Sequence, residues 1–166
     1  MNREEFVEQF GGVFEHSPWI AERAWDHDRI DEPLTSVGVH EAMCEEFRTA
    51  SRKARMEVLR AHPDLAGRLA LANQLTASSK AEQAGAGLDR LTPDELERFT
   101  ELNDRYMEKF GFPFIIAVRG HDKTSILEAF EERVTHSEDD EFGVACGQVE
   151  RIAGFRIADM IKGDAA

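Results

Sequence analysis

Three places in this chain carry residue types that can move a proton or hold an anion. The first is His62-Pro63. The second is Ser79-Lys80-Ala81-Glu82-Gln83. The third is Arg119, at the end of the apolar run Phe112-Pro113-Phe114-Ile115-Ile116-Ala117-Val118. An imidazole and a carboxylate with no metal between them suit proton transfer. A guanidinium offers five donors in a planar fork and stays charged, so it suits a carboxylate or a urea-like carbonyl. Together with the hydroxyl of Ser79 and the amide of Gln83, it describes a site for a flat, polar, partly anionic small molecule. Each group also has a plainer reading. His62 can be a solvated residue at a helix-breaking turn, Ser79 and Glu82 a capping box on one short helix, and Arg119 half of a surface ion pair.

The elements that must position these residues read as helices. A residue before proline is pushed toward extended backbone angles, so the helix through Met56, Val58 and Leu59 is expected to end at about His62. Upstream, Phe6, Phe10 and Phe14 recur at helical spacing. Ser17-Pro18 reads as an N-cap followed by proline at the first helical position, leading to Trp19, Ile20, Ala24 and Trp25. Both tryptophans are expected to pack rather than to form a platform. Ser36 is expected to cap a helix with Val39, Met43 and Phe47 on one face, and Ser51 to cap the next.

Downstream, Thr92-Pro93-Asp94-Glu95 is a capping box with proline at the start. Leu96, Phe99, Leu102, Asn103, Tyr106 and Phe110 then recur at three- and four-residue steps, and Gly111 is placed to end the helix. The following run is rich in β-branched residues and reads as a buried extended segment. With no second strand for it to pair with, its backbone groups need partners, from a bound ligand or from side chains of neighbouring helices. Two more helices are expected, one carrying Ile126, Leu127, Phe130 and Val134. The other runs from about Glu138 to Ile161, with Phe142, Ala145, Val149, Ile152 and Phe155 inward. Its acidic start suits the positive end of a helix dipole.

The 166 residues are enough for one domain with a core, spanning 1–166, and no linker or repeat divides them. The formal net charge of −13 argues against nucleic acid and against an anionic membrane surface as partners. No window approaches the roughly 20 apolar residues that span a bilayer. The start, Met1 to Phe6, has no apolar run behind a basic region and is not expected to be a signal peptide. The end, Gly163-Asp164-Ala165-Ala166, lacks a peroxisomal address. Cys44 and Cys146 are unclustered, which suits a reducing cytoplasm and makes neither a disulfide framework nor a zinc site. His40-Glu41 starts a zinc-protease pattern, but position 44 is cysteine, so no metal is expected there.

Taken together, His62-Pro63-Asp64-Leu65-Ala66-Gly67, then Ser79-x-x-Glu82-Gln83 with Ala86-Gly87-Leu88, then Phe110 to Gly120 resemble the 2-oxo-4-hydroxy-4-carboxy-5-ureidoimidazoline (OHCU) decarboxylase family. Gly11-Gly12-Val13-Phe14-Glu15-His16-Ser17-Pro18-Trp19 resembles it too. The resemblance covers nearly the whole chain, with the motifs in the family's order. It implies an all-α fold, here a single-domain helical bundle with one buried extended segment near residues 112–119. It implies a homodimer, no cofactor, and the last step of urate breakdown, to (S)-allantoin. Carried over by position, His62 is the catalytic imidazole and Glu82 its carboxylate partner. Pro63, Ser79, Gln83 and Arg119 bind substrate, with main-chain groups near Phe114, Ile115 and Ile116 against the ring. Thr135-His136 stands where the resemblance leads one to expect a residue such as asparagine, which touches only a peripheral contact.

Two other readings of the same residues stay open at this level. A hydrolase acting on a ring amide would use the same histidine and glutamate to activate water, and measuring CO₂ release against ring opening separates it from a decarboxylase. A non-enzymatic helical interaction module would show a broad exposed apolar or charged stripe, which the sequence lacks beyond what dimer contacts need.

Overall fold

The computed structural model describes residues 1–63 and 91–161. Among these residues the regular structure is helical: α1 (Arg3–Phe10), α2 (Trp19–Asp26), α3 (Ser36–Thr49), α4 (Arg52–Ala61), α5 (Pro93–Phe110), α6 (Lys123–Arg133) and α7 (Glu138–Met160). The all-α expectation holds. The chain divides into two compact units, one formed by 1–61 with 149–166, the other by 62–148. No helix among the described residues is long and apolar enough to cross a membrane.

In the first unit, a reciprocal cap starts α1: Asn2 Oδ1 accepts from the Glu5 N–H, and the Asn2 N–H donates to Glu5. Phe6 and Phe10 have no exposed surface, and Trp25 packs its ring 5.5 Å from that of Phe6. Phe14, beyond the helix end, meets Phe47 of α3 at 5.4 Å. Val39, Met43 and Phe47 are all buried, as their spacing requires.

Two caps differ from expectation by one residue. Pro18 takes the cap position of α2 with helical angles, φ −63° and ψ −18°, and the Ser17 hydroxyl donates to the Glu15 carbonyl at 2.8 Å instead. Thr35 rather than Ser36 caps α3. Its backbone is extended, φ −122° and ψ 152°, which lets Oγ1 accept from the Gly38 N–H at 3.0 Å. Ser51 caps α4 as expected, accepting from the Ala54 N–H at 3.1 Å.

This unit buries charge in pairs. Arg156 donates to Glu15 at 3.0 Å and to the Val13 carbonyl at 3.2 Å. Glu46, only 2% exposed, accepts from His27 Nδ1 at 2.6 Å and Arg29 Nε at 2.7 Å. His40 lies 2.7 Å from the Glu150 carbonyl, with its ring so close to Gly154 that a Cβ there would come within 3.1 Å of it. His40 is thus a packing residue. Burial pushes the Cys44 thiol up to about 12, so no reactive thiolate stands beside His40.

In the second unit, α5 begins with the expected box. The Thr92 N–H donates to Glu95 at 2.9 Å, and the Glu95 N–H donates to Thr92 Oγ1 at 3.2 Å. It ends at Gly111 with φ 74°, the left-handed cap position. Its inward face carries Phe99, Leu102, Asn103, Tyr106 and Phe110. Tyr106 is the hub of an aromatic cluster, with ring centroids 4.6 Å from Phe110, 5.8 Å from Phe112, 5.4 Å from Phe114 and 5.9 Å from Phe130. Such pairs contribute about 0.5–1.5 kcal/mol each beyond the area they bury. Helix α7 contributes 138–148 to this unit and its later residues to the first; its expected inward positions are buried except Phe155, which is half-buried with Arg151 over its ring.

The Glu46 pair generates a pH test. Burial alone would raise the Glu46 carboxyl, but the bonds from His27 and Arg29 outweigh it and hold the group below the usual carboxylate range. A depressed folded-state pKa stabilises above the unfolded-state value, and that stabilisation disappears as pH falls through the folded value. In urea titrations Glu46→Gln is expected to be less stable than the parent at pH 7, with the gap closing as pH drops into the acid range.

Candidate active site

His62 stands immediately after the last residue of α4, as the following proline requires. Its side chain is not solvated: the residue is 4% exposed. Burial removes the plainer reading of a histidine at an open turn. Pro63 is half-buried. Ser79, Glu82 and Gln83 lie outside the described residues.

The 112–118 segment is buried along its whole length and has no regular secondary structure. Phe114 is 1% exposed, Ile115 0% and Ile116 7%. Side chains of helices supply partners to its backbone. Arg133 Nη1, at the end of α6, donates to the Ile115 carbonyl at 2.7 Å. The Ala117 N–H donates to Gln148 Oε1, on α7, at 2.9 Å. So of the two sources of partners the sequence allowed, neighbouring helices satisfy at least these two groups.

The segment ends in a turn in which the His121 N–H donates to the Val118 carbonyl at 2.9 Å. Gly120 takes φ 86°, the third-residue angle of a type II turn. The turn puts Arg119 at its corner, where the residue is exposed. Neither Arg119 nor His62 is without a partner in the protein. His62, Phe114, Ile115, Ile116 and Arg119 all belong to the 62–148 unit.

Sequence reasoning missed the group that braces this segment. Glu141, on the first turn of α7, has no exposed surface. Its Oε2 accepts from Arg133 Nε at 2.9 Å and Nη2 at 2.7 Å, and also from the Tyr106 hydroxyl. Its Oε1 faces His136 Nδ1 at 3.1 Å. The Arg133 guanidinium lies 4.4 Å from the centroid of the Phe114 ring, inside cation–π range. Burial pushes the Tyr106 phenol upward, and Glu141 beside it adds to the effect, so the phenol stays a proton donor. His136, the departure noted in the sequence, is therefore a partner of the buried carboxylate. A signal was present: Glu141 sits four residues before Ala145, and Arg133 seven after Ile126, both on apolar stripes.

A groove of about 700 Å³ lies in the other unit, lined by His27, Arg29, Asp31, Glu41 and Glu45 among others. None of the described candidate site residues, His62, Pro63, Phe114 to Ile116 and Arg119, lines it. Among the described residues no group of three or more His, Cys, Asp or Glu could hold a metal ion.

The sequence model of the OHCU decarboxylase family matches residues 1–158. A 2-oxo-4-hydroxy-4-carboxy-5-ureidoimidazoline decarboxylase of Halalkalicoccus jeotgali is 42% identical over 160 residues, 96% of this chain and 86% of the relative. One of the same name from Haloferax volcanii is 42% identical over 165 residues, 99% of this chain and 94% of the relative. A crystal structure of an (S)-allantoin synthase superposes with a TM-score of 0.78 at 34% identity. The alignment covers 97% of this chain and 51% of that one, so the chain spans about half the length of that solved protein.

The turn that presents Arg119 depends on Gly120. A Cβ there would touch nothing within 4 Å, so the penalty for adding one is backbone strain alone. Gly120→Ala is expected to cost about 1–2 kcal/mol in denaturant titrations, and Gly120→Asn less, because asparagine tolerates the left-handed region.

Proposed function

Because the chain belongs to the OHCU decarboxylase family, we propose that it removes CO₂ from 2-oxo-4-hydroxy-4-carboxy-5-ureidoimidazoline to give (S)-allantoin, without a cofactor, in the breakdown of urate. The observation that carries this reading is the 42% identity to decarboxylases of that name along almost the entire chain.

The chemistry asks three things of the protein. Loss of CO₂ leaves the electron pair of the broken bond on a ring carbon conjugated to carbonyl and imine groups, so the ring itself spreads the charge. The leaving carboxylate must stand perpendicular to the ring plane, so that the breaking bond overlaps the π system. Arg119, Ser79 and Gln83 hold it there, with Pro63 and the main chain of Phe114 to Ile116 against the ring. The carbanion must then take a proton on one face only. His62 gives it, and a single enantiomer results. Glu82 beside the imidazole favours its protonated form and so keeps the donor loaded. The burial of His62 supports this role, because a donor shielded from bulk water can impose one face on the product.

The chain works in the cytoplasm as a homodimer. Cys44 and Cys146 are buried and neither is in a disulfide, which fits a reducing compartment, and the dimer rests on the family resemblance.

The test uses urate and the two upstream enzymes to make the substrate in place, following the optical activity of the allantoin formed. The parent chain is expected to give dextrorotatory (S)-allantoin promptly. His62→Ala is expected to keep its helical circular dichroism while losing about 100-fold or more in catalysed turnover. Stereoselective turnover retained in that variant removes His62 from the mechanism.

A further inference from the structure

The buried network around Glu141 lies outside the residues assigned to binding or proton transfer, yet it is joined to the segment that holds the ring. All three guanidinium nitrogens of Arg133 are used. Nε and Nη2 are on Glu141 Oε2 at 2.9 and 2.7 Å, and Nη1 is on the Ile115 carbonyl at 2.7 Å. The same guanidinium covers the ring of the preceding residue, Phe114, at 4.4 Å. Arg133 thus fixes a side chain and a main-chain carbonyl at two successive positions of one segment. Arg133 is itself fixed: Glu141 is 0% exposed, is shared with Tyr106 and His136, and sits on a different helix. Gln148, two turns further along α7, holds Ala117 in the same segment at 2.9 Å.

We infer that Arg133, oriented by Glu141, is a positioning residue for the decarboxylation: it sets the placement of the Phe114–Ile116 main chain against the substrate ring without touching the substrate. This rests on the reading that those residues contact the ring. The physical reason is the angular demand of the reaction. A ring rotated by a fraction of an ångström at its edge still binds, but its carboxylate no longer stands perpendicular to the π system, so the loss falls on kcat rather than on KM. A lysine in place of Arg133 keeps the charge, but its single nitrogen cannot reproduce a fork that spans Glu141 and Ile115 together.

The experiment measures kcat, KM and melting temperature of the full chain, with substrate generated from urate by excess upstream enzymes. Arg133→Lys is expected to lower kcat at least ten-fold while KM changes less than three-fold. Ile126→Val, which removes one buried methyl group from the core of the same unit and leaves every polar tie to 112–118 in place, serves as the stability control. It is expected to lower the melting temperature yet keep kcat within two-fold. If Arg133→Lys does not fold, Glu141→Gln is read in the same way, with kcat expected to fall at least three-fold. It keeps the Arg133 side chain but removes the charge that orients its fork toward the Ile115 carbonyl.

A folded Arg133→Lys, or the folded Glu141→Gln read in its place, with kcat within two-fold of the parent overturns the inference. So does a rise in KM alone, or a control whose kcat falls in step with its stability. His62→Ala assayed alongside separates the two claims. If it is inactive while Arg133→Lys is unaffected, positioning fails and the site stands; if it remains fully active, the site reading fails and this inference goes with it.

Discussion

A carboxyl group with no exposed surface must be met by donors from the protein, and Glu141 meets four: two nitrogens of Arg133, the Tyr106 hydroxyl and His136 Nδ1. Removing one partner of such a buried pair costs about 3–5 kcal/mol, because the other is left uncompensated. That makes the arrangement close to all-or-none. The 112–118 segment inherits this definition. It has no ladder to hold it, and an irregular buried stretch keeps one conformation only where its polar groups are tied down. Arg133 ties the Ile115 carbonyl, Gln148 ties the Ala117 N–H, and the aromatic cluster around Tyr106 fills the space beneath.

The two units handle buried charge alike. Glu15 with Arg156, and Glu46 with His27 and Arg29, repeat in the first unit what Glu141 does in the second. The likeness ends with what the pair is attached to. In the first unit Arg156 reaches the Val13 carbonyl in the loop after α1. In the second, Arg133 reaches the segment whose main chain is proposed to face the ligand. The same interaction can brace a loop or, moved to a different element, set the geometry of a reaction.

What could be read from the sequence was local. Thr92, Pro93, Glu95 and Gly111 mark both ends of α5 because caps are decided by residues a few positions apart. Pro63 marks the end of α4 for the same reason. The apolar run from Phe112 to Val118 announced a buried segment between two glycines. Where two adjacent residues could serve as a cap, as at Thr35 and Ser36, backbone angles set by the wider fold decided between them. The Arg133–Glu141 clamp stayed hidden because its partners meet through tertiary packing. Among four consecutive acidic residues, 138 to 141, nothing but its place on the apolar stripe distinguishes the one that is buried. The burial of His62 was equally out of reach, since the same dipeptide serves a solvated turn as well as a shielded imidazole. Ser79, Glu82 and Gln83 were legible as a motif, a hydroxyl residue followed at three and four positions by a carboxylate and an amide.

One geometric relation is central to the proposed reaction: the ureido ring lies against the braced main chain with His62 and Arg119 around it. Solving a crystal structure of the chain with (S)-allantoin bound tests this most directly. The account predicts the ligand hydrogen-bonded to main-chain groups between Phe114 and Ile116, with the Arg119 guanidinium and the His62 imidazole both within reach of it. Allantoin seated instead in the acidic groove lined by His27 and Glu45, with the 114–116 main chain untouched, would contradict it.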